Sequence, residues 1–276
     1  SWERPGQFMG MEIIDVSDPN NPTPIGSFEL DLPVQGIFVN RPYAYLANDA
    51  NGLQILDVSD SSSPFLKASF PTSGLAIDVS VQGNYAYVAD TETGLEVIDI
   101  SNSASPAFVS DYYLGALWPT ISVNGNYAYV TDLYLGAYIM DISNPDSVSQ
   151  LNLLWPMGNY NNVFVDGNYA YVPDDLYGLY IYDVSDPSST KTPIANYATP
   201  GWPQDIEIRN VIEKPGNQEK TLAYVAATQS GLIIMDVTNP ASPKIIGSYS
   251  EPYCYMDGVM VKDNYAYVES GWSGLK

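Results

Sequence analysis

Gly83-Asn84-Tyr85-Ala86-Tyr87-Val88-Ala89-Asp90-Thr91-Glu92-Thr93-Gly94-Leu95-Glu96-Val97-Ile98-Asp99-Ile100-Ser101 reads as strand, loop, strand. Gly83-Asn84 is a dipeptide that tolerates the positive φ of a hairpin turn. Tyr85 to Ala89 is a period-2 run, Asp90 to Thr93 a polar loop, and Leu95 to Ile100 a second β-rich run. The run ends in an Asp-x-Ser turn, where a short polar side chain can cap its own backbone.

The unit recurs along the whole chain. Its Tyr-Ala-Tyr strand starts at Tyr43, Tyr85, Tyr127 and Tyr169, always 42 residues apart, then at Leu222 (53 on) and Tyr265 (43 on). A glycine falls nine residues after each start, at Gly52, Gly94, Gly136, Gly178, Gly231 and Gly274. An aspartate falls fourteen after the first five, at Asp57, Asp99, Asp141, Asp183 and Asp236. A period near 42 without helical phase predicts an all-β fold, a β-propeller with one four-stranded blade per repeat. In the repeat around Gly83, strand a spans about 75–81, b about 84–89, c about 95–100 and d about 107–113. Strands b and c are apolar or aromatic on both faces, as a blade sandwiched between two others requires.

Residues 11–29 match only strands c and d, and 255–270 only strands a and b. Joined, they make a sixth, split blade, so the expectation is a single six-bladed domain over 1–276 without open edges. Gly274-Leu275-Lys276 repeats the strand c start that Gly10-Met11-Glu12 already supplies. That duplication favours strand exchange or contact between copies, or a chain cut from a longer protein. Residues 209–220, carrying Arg209, Lys214 and Lys220, are an insertion in the a–b hairpin of the fifth blade. They read as a tolerated loop extension.

Composition removes whole classes of function. The 32 acidic and 10 basic residues give a formal net charge of −22, which repels nucleic acid and anionic lipid. Histidine is absent, and with it the commonest general base and metal ligand. The lone Cys254 forms no internal disulfide, and its neighbours Tyr253 and Tyr255 suggest a packed thiol. No apolar run approaches about 18 residues, so no membrane-inserted helix is expected.

The strand c segments read Leu53-Gln-Ile-Leu-Asp57, Leu95-Glu-Val-Ile-Asp99, Leu179-Tyr-Ile-Tyr-Asp183 and Leu232-Ile-Ile-Met-Asp236. With the preceding Ala-Tyr-Val-Ala-Asp90, the chain resembles the LVIVD-repeat family of prokaryotic surface propellers and, more distantly, the YVTN-type propellers. Ala137, Met11 and Ala227 depart from the pattern as packing variants. The resemblance implies an extracellular or cell-surface protein of prokaryotic origin and carries over no catalytic residue.

In a propeller the b–c loops and the d–a connections share one rim. Trp118, Trp155 and Trp202 fall in d–a connections and Trp272 in a b–c loop; Tyr134 and Tyr177 are in b–c loops, Tyr160 and Tyr253 in d–a connections. These eight are the candidate ligand-binding residues, since aromatics on one rim suit recognition of a protein or glycan. The alternative is packing between blades beneath the rim. The rim is also acidic, with Asp49, Asp90, Glu92, Asp132, Asp174 and Asp175 among its residues, and Asn48, Asp90, Asp132 and Asp174 stand at equivalent positions. Turn capping accounts for these four. Calcium is the one cofactor the acidic rim leaves open, although no Asp-x-Asp-x-Asp-Gly loop exists. Carboxylate-based glycoside hydrolysis is a lesser reading, because no acid and base stand apart from the repeat. The expectation is a non-catalytic binding or scaffold propeller without a cofactor. Its partner is a protein, a glycan or a further copy, with a structural subunit of a surface assembly as the alternative.

Overall fold

A computed structural model describes residues 9–18, 21–154, 159–189, 192–213, 218–251 and 255–270. Trp2, Trp155, Tyr253, Cys254, Trp272 and the duplicated Gly274–Lys276 lie outside them. Strands β1 (Gly10–Asp15) and β2 (Thr23–Glu29) form an antiparallel pair. The first four-stranded sheet is β3 (Gly36–Asn40), β4 (Tyr43–Ala47), β5 (Leu53–Asp57) and β6 (Phe65–Phe70). The second is β7 (Ala76–Gln82), β8 (Tyr85–Asp90), β9 (Gly94–Asp99) and β10 (Ala107–Tyr113). The third is β11 (Ile121–Asn124), β12 (Tyr127–Asp132), β13 (Gly136–Asp141) and β14 (Ser149–Leu154), with a 3-10 turn at Pro145–Ser147.

The fourth sheet is β15 (Phe164–Asp166), β16 (Tyr169–Asp174), β17 (Gly178–Asp183) and β18 (Ala195–Tyr197). The fifth is β19 (Asp205–Glu213), β20 (Gln218–Ala226), β21 (Leu232–Asp236) and β22 (Lys244–Tyr249). Strands β23 (Met256–Lys262) and β24 (Tyr265–Ser270) make a last pair. In every sheet the strands are neighbours in chain order, which is the meander of a propeller blade. The four expected strands around Gly83 match β7 to β10 to within a residue or two.

The described residues fall into two compact units, one within 1–123 and 142–148 and the other within 124–141 and 149–276. In the first, Tyr45, Leu53 and Ile55 pack against Val79, Val81, Val88 and Ile98 of the next sheet. Met11 of β1 packs with Leu46 and Leu56 of the first sheet. In the second, Ile139 and Leu154 meet Val172, Tyr180 and Tyr182. Leu179 and Ile181 meet Ile206, Val225 and Met235. The middle strands are therefore buried on both faces, as their lack of polar alternation requires.

Two repeated devices finish the strands. Asp15, Asp57, Asp99, Asp183 and Asp236 each accept, through Oδ1, the backbone N–H two residues on. These are the expected Asx turns, and the hydrogen bonds hold the carboxyls of Asp15, Asp57, Asp99 and Asp236 below their ordinary value. The c–d pairings β1–β2, β5–β6, β9–β10, β13–β14 and β21–β22 each shift register once. The unpaired residue is Ile25, Lys67, Val109, Leu151 or Ile246, one repeat position. A bulge there twists the outer edge and blunts edge-to-edge pairing.

The insertion lengthens the a–b hairpin in which the sequence places it: residues 209–213 pair with 218–222, from Arg209↔Leu222 through Val211↔Lys220 to Glu213↔Gln218, and Lys214 lies outside the described residues. Lys220 reaches Asp236 at 3.5 Å and Arg209 reaches Glu207 at 2.7 Å. Ladder hydrogen bonds extend a paired strand at no burial cost, so an insertion of even register grows the hairpin outward.

Candidate functional site

The b–c loop is built on one buried side chain. Asp90, Asp132 and Asp174 end strands β8, β12 and β16 and are at most 1% exposed. Asp90 Oδ1 accepts the N–H groups of Glu92 and Thr93, both at 2.8 Å, and Oδ2 accepts Gly74 N–H at 2.6 Å. Asp132 Oδ1 accepts Tyr134 N–H and Leu135 N–H at 2.7 and 2.6 Å. Asp174 Oδ1 accepts Leu176 N–H and Tyr177 N–H at 2.8 and 2.7 Å. Burial pushes the Asp174 carboxyl above its ordinary value, and those N–H groups oppose the shift. Asn48, at the same repeat position, instead ties the preceding d–a connection, donating from Nδ2 to the carbonyls of Leu32 and Pro33 at 2.7 and 2.9 Å, while its Oδ1 accepts the Asn51 side chain at 2.9 Å.

In the second unit Tyr134 is 56% and Tyr177 50% exposed, and beside them stand exposed Leu135 and Leu176. The ring of Tyr177 is tilted against that of the buried Tyr180, centroids 6.4 Å apart. Gln204 of the following d–a connection donates to Asp175 Oδ1 at 2.7 Å, and Asn161 of the preceding one donates to the same oxygen at 2.6 Å. Trp202 N–H reaches Thr228 Oγ1 at 3.3 Å in the next b–c loop. Loops and connections of this unit thus form one rim, and Trp202 is exposed on it. In the first unit Trp118 is exposed, at a positive φ of 51° that a bulky residue rarely adopts.

Tyr160 does not belong with these. It is 1% exposed, and its hydroxyl meets that of Tyr182 at 3.0 Å. Its ring stands edge-on to Tyr180 at 6.1 Å. Its expected place on the rim is corrected to the core between the third and fourth sheets. Trp155, Trp272 and Tyr253 lie outside the described residues. Of the eight candidates, the structure therefore exposes Trp118, Trp202, Tyr134 and Tyr177. Leu135 and Leu176 are additions, whose only signal was adjacency to a tyrosine in a variable loop.

A second row, unread in the sequence, lies on or just before the a strands. Asp78 Oδ2 accepts Ile121 N–H at 2.9 Å. Asn162 donates to Asp205 Oδ1 at 2.5 Å, and Asp205 Oδ2 accepts Val259 N–H at 2.9 Å. These residues belong to one repeat position, Gly36, Asp78, Thr120, Asn162, Asp205 and Gly258. Burial raises the Asp205 carboxyl above its ordinary value. The row clasps neighbouring a strands and is structural.

Among the described residues no group of three or more Asp, Glu, Cys or His side chains is placed to hold a metal. One carboxylate oxygen of each of Asp90, Asp132 and Asp174 is engaged by backbone N–H groups, whereas Asp174 Oδ2 is buried with no hydrogen-bond partner. No helix among the described residues is long and apolar enough to cross a membrane.

No curated protein matches the sequence. Among solved structures, the chain is similar to the crystal structure of the computationally designed Ika8 protein. The TM-score is 0.61 at 7% identity, covering 92% of this chain and 73% of that one. That likeness concerns the fold alone. The model of the LVIVD repeat matches residues 7–29, 33–72, 73–113, 119–153, 157–199, 222–251 and 255–276. Seven matches spread over most of the chain agree with the blade-by-blade repeat, and the protein belongs to the LVIVD-repeat family.

Proposed function

We propose that the protein is a non-catalytic propeller of the cell exterior that recognises a protein or glycan through its b–c loops and d–a connections. The observation that carries this reading is the exposure of Tyr134 and Tyr177 on loops whose backbones Asp132 and Asp174 hold rigid. Holding an aromatic side chain half in water is unfavourable unless a partner covers it, and rigid aromatics bind with little loss of rotamer freedom. Six blades complete the reading, with β1–β2 and β23–β24 as halves of one blade. Capture of glycans and surface proteins on an array tests it, using wild type against Trp202→Ala and the double variant Tyr134→Ala/Tyr177→Ala. Loss of capture supports the reading, and unchanged capture by both variants contradicts it.

A second reading, a structural subunit of a surface assembly, is favoured by one observation. The outer strands carry exposed Phe65, Phe108 and Ile246. Light scattering behind size-exclusion chromatography tests it, and a monomer at all concentrations removes it.

A further inference from the structure

The first unit holds a cavity of about 590 Å³ where the end of β2 faces the outer part of the first sheet. Phe28, Glu29, Asp31, Gln54, Leu66 and Ser69 shape it. Its floor is Gln54, only 4% exposed. Gln54 Nε2 donates to the Asn51 carbonyl at 2.7 Å, and Gln54 Oε1 accepts Ser69 Oγ–H at 2.6 Å. Asn51 Nδ2 in turn donates to Asp31 Oδ1 at 2.7 Å. The floor is thereby fixed before any ligand arrives, which lowers the entropic cost of binding.

The walls differ in character. Phe28 and the 41% exposed Leu66 form an apolar side. Glu29 and Asp31 form an anionic one, and among the described residues no lysine or arginine lines the cavity. The nearest cation in sequence, Lys67, points elsewhere, 3.8 Å from Asp57 and over the Phe65 ring. Among the described residues no ion pair engages Glu29 or Asp31. An apolar wall beside two carboxylates suits a side chain with a hydrocarbon stem and a cationic head. A guanidinium on a carboxylate makes the strongest such contact. The formal charge of −22 draws such a segment in.

We propose that this groove binds an arginine-containing basic peptide segment of a partner protein. The arginine stem lies against Phe28 and Leu66, and its head lies between Glu29 and Asp31. The site shares no residue with the aromatic loops, so it stands or falls apart from the function proposed above.

Calorimetric titration of the intact chain with the probe acetyl-Arg-Leu-Arg-Leu-Arg-amide tests it, beside the variants Glu29→Gln/Asp31→Asn, Leu66→Ala and Tyr134→Ala/Tyr177→Ala. Glu29, Asp31 and Leu66 are exposed, so circular dichroism is expected to show folded variants. The expected result is binding that weakens about tenfold or more in the carboxylate variant, the loss of one charge-assisted contact. It weakens also in Leu66→Ala and is unchanged in the tyrosine variant. Spermine, which has the charge but no apolar side chain, should bind more weakly than the peptide. Absence of peptide binding, equal binding by the carboxylate variant, or equal binding of spermine would each overturn the proposal.

Discussion

Asp205 accepts the backbone N–H of Val259 at 2.9 Å through one carboxylate oxygen and the Asn162 side chain at 2.5 Å through the other. One side chain thus joins β19 to β23 and to the connection that leads into β15. Removing it leaves a donor on each side without a partner. Asp205→Ala is expected to destabilise the protein by about 2–3 kcal/mol. Scanning calorimetry would show a melting temperature lower by several degrees, roughly 2–4 °C per kcal/mol at this chain length. A melting temperature equal to wild type would reduce the clasp to a bystander.

Glu96 gives a pH signature. It is 2% exposed, accepts Ser73 N–H at 3.1 Å, and faces the carboxylates of Asp90 and Asp111. Burial, and then those neighbours, raise its carboxyl above the ordinary 4.5, while the Ser73 bond opposes the rise. A raised folded-state value means that ionisation opposes folding. The associated stability is present below about pH 4.5 and is lost as the pH rises through the folded-state value. Gln54, the same repeat position, already shows a neutral amide there. Glu96→Gln should therefore melt higher than wild type at neutral pH, and the gap should close on acidification. A gap independent of pH would contradict the assignment.

The buried tyrosines should resist titration. Burial pushes the phenols of Tyr129 and Tyr171 up to about 12, and those of Tyr160 and Tyr182 higher still. Alkaline titration followed by phenolate absorbance should leave a group of the 23 tyrosines silent until the protein unfolds. Tyr160→Phe removes the hydroxyl partner of Tyr182 and should destabilise by about 1 kcal/mol. A single titration step for all tyrosines would contradict their burial.

Closure by the terminal strands can be read from amide exchange. If β1–β2 and β23–β24 are halves of one blade, removing residues 1–29 should strip protection from the amides of β24. Local packing of Met11 on Leu46 and Leu56 predicts a change in the first sheet instead. Exchange confined to that sheet would count against six blades.

The strands were legible because spacing carries them. Tyr85–Asp90 recurs with its turn and its glycine at fixed offsets, and alternation marks a strand wherever it falls. The clasp was not, because its position tolerates Gly36, Asp78, Thr120, Asn162 and Asp205, and no consensus survives such variety. Trp118 and Tyr160 lie 42 residues apart in equivalent connections, yet one is exposed and the other buried. Which way a connection turns its ring depends on the facing sheets, and no local pattern records that. The lengthened hairpin was legible from the broken 42-residue spacing, while the register that pairs Val211 with Lys220 and Ile212 with Glu219 was not.

The repeated residues build the scaffold, so recognition rests on the loop tips that differ. The most direct measurement is capture on a glycan and surface-protein array by wild type and by Tyr134→Ala/Tyr177→Ala, at matched melting temperature. These side chains are exposed, so stability should not change, while capture should fall to background. Full capture by a stably folded double variant would contradict the account.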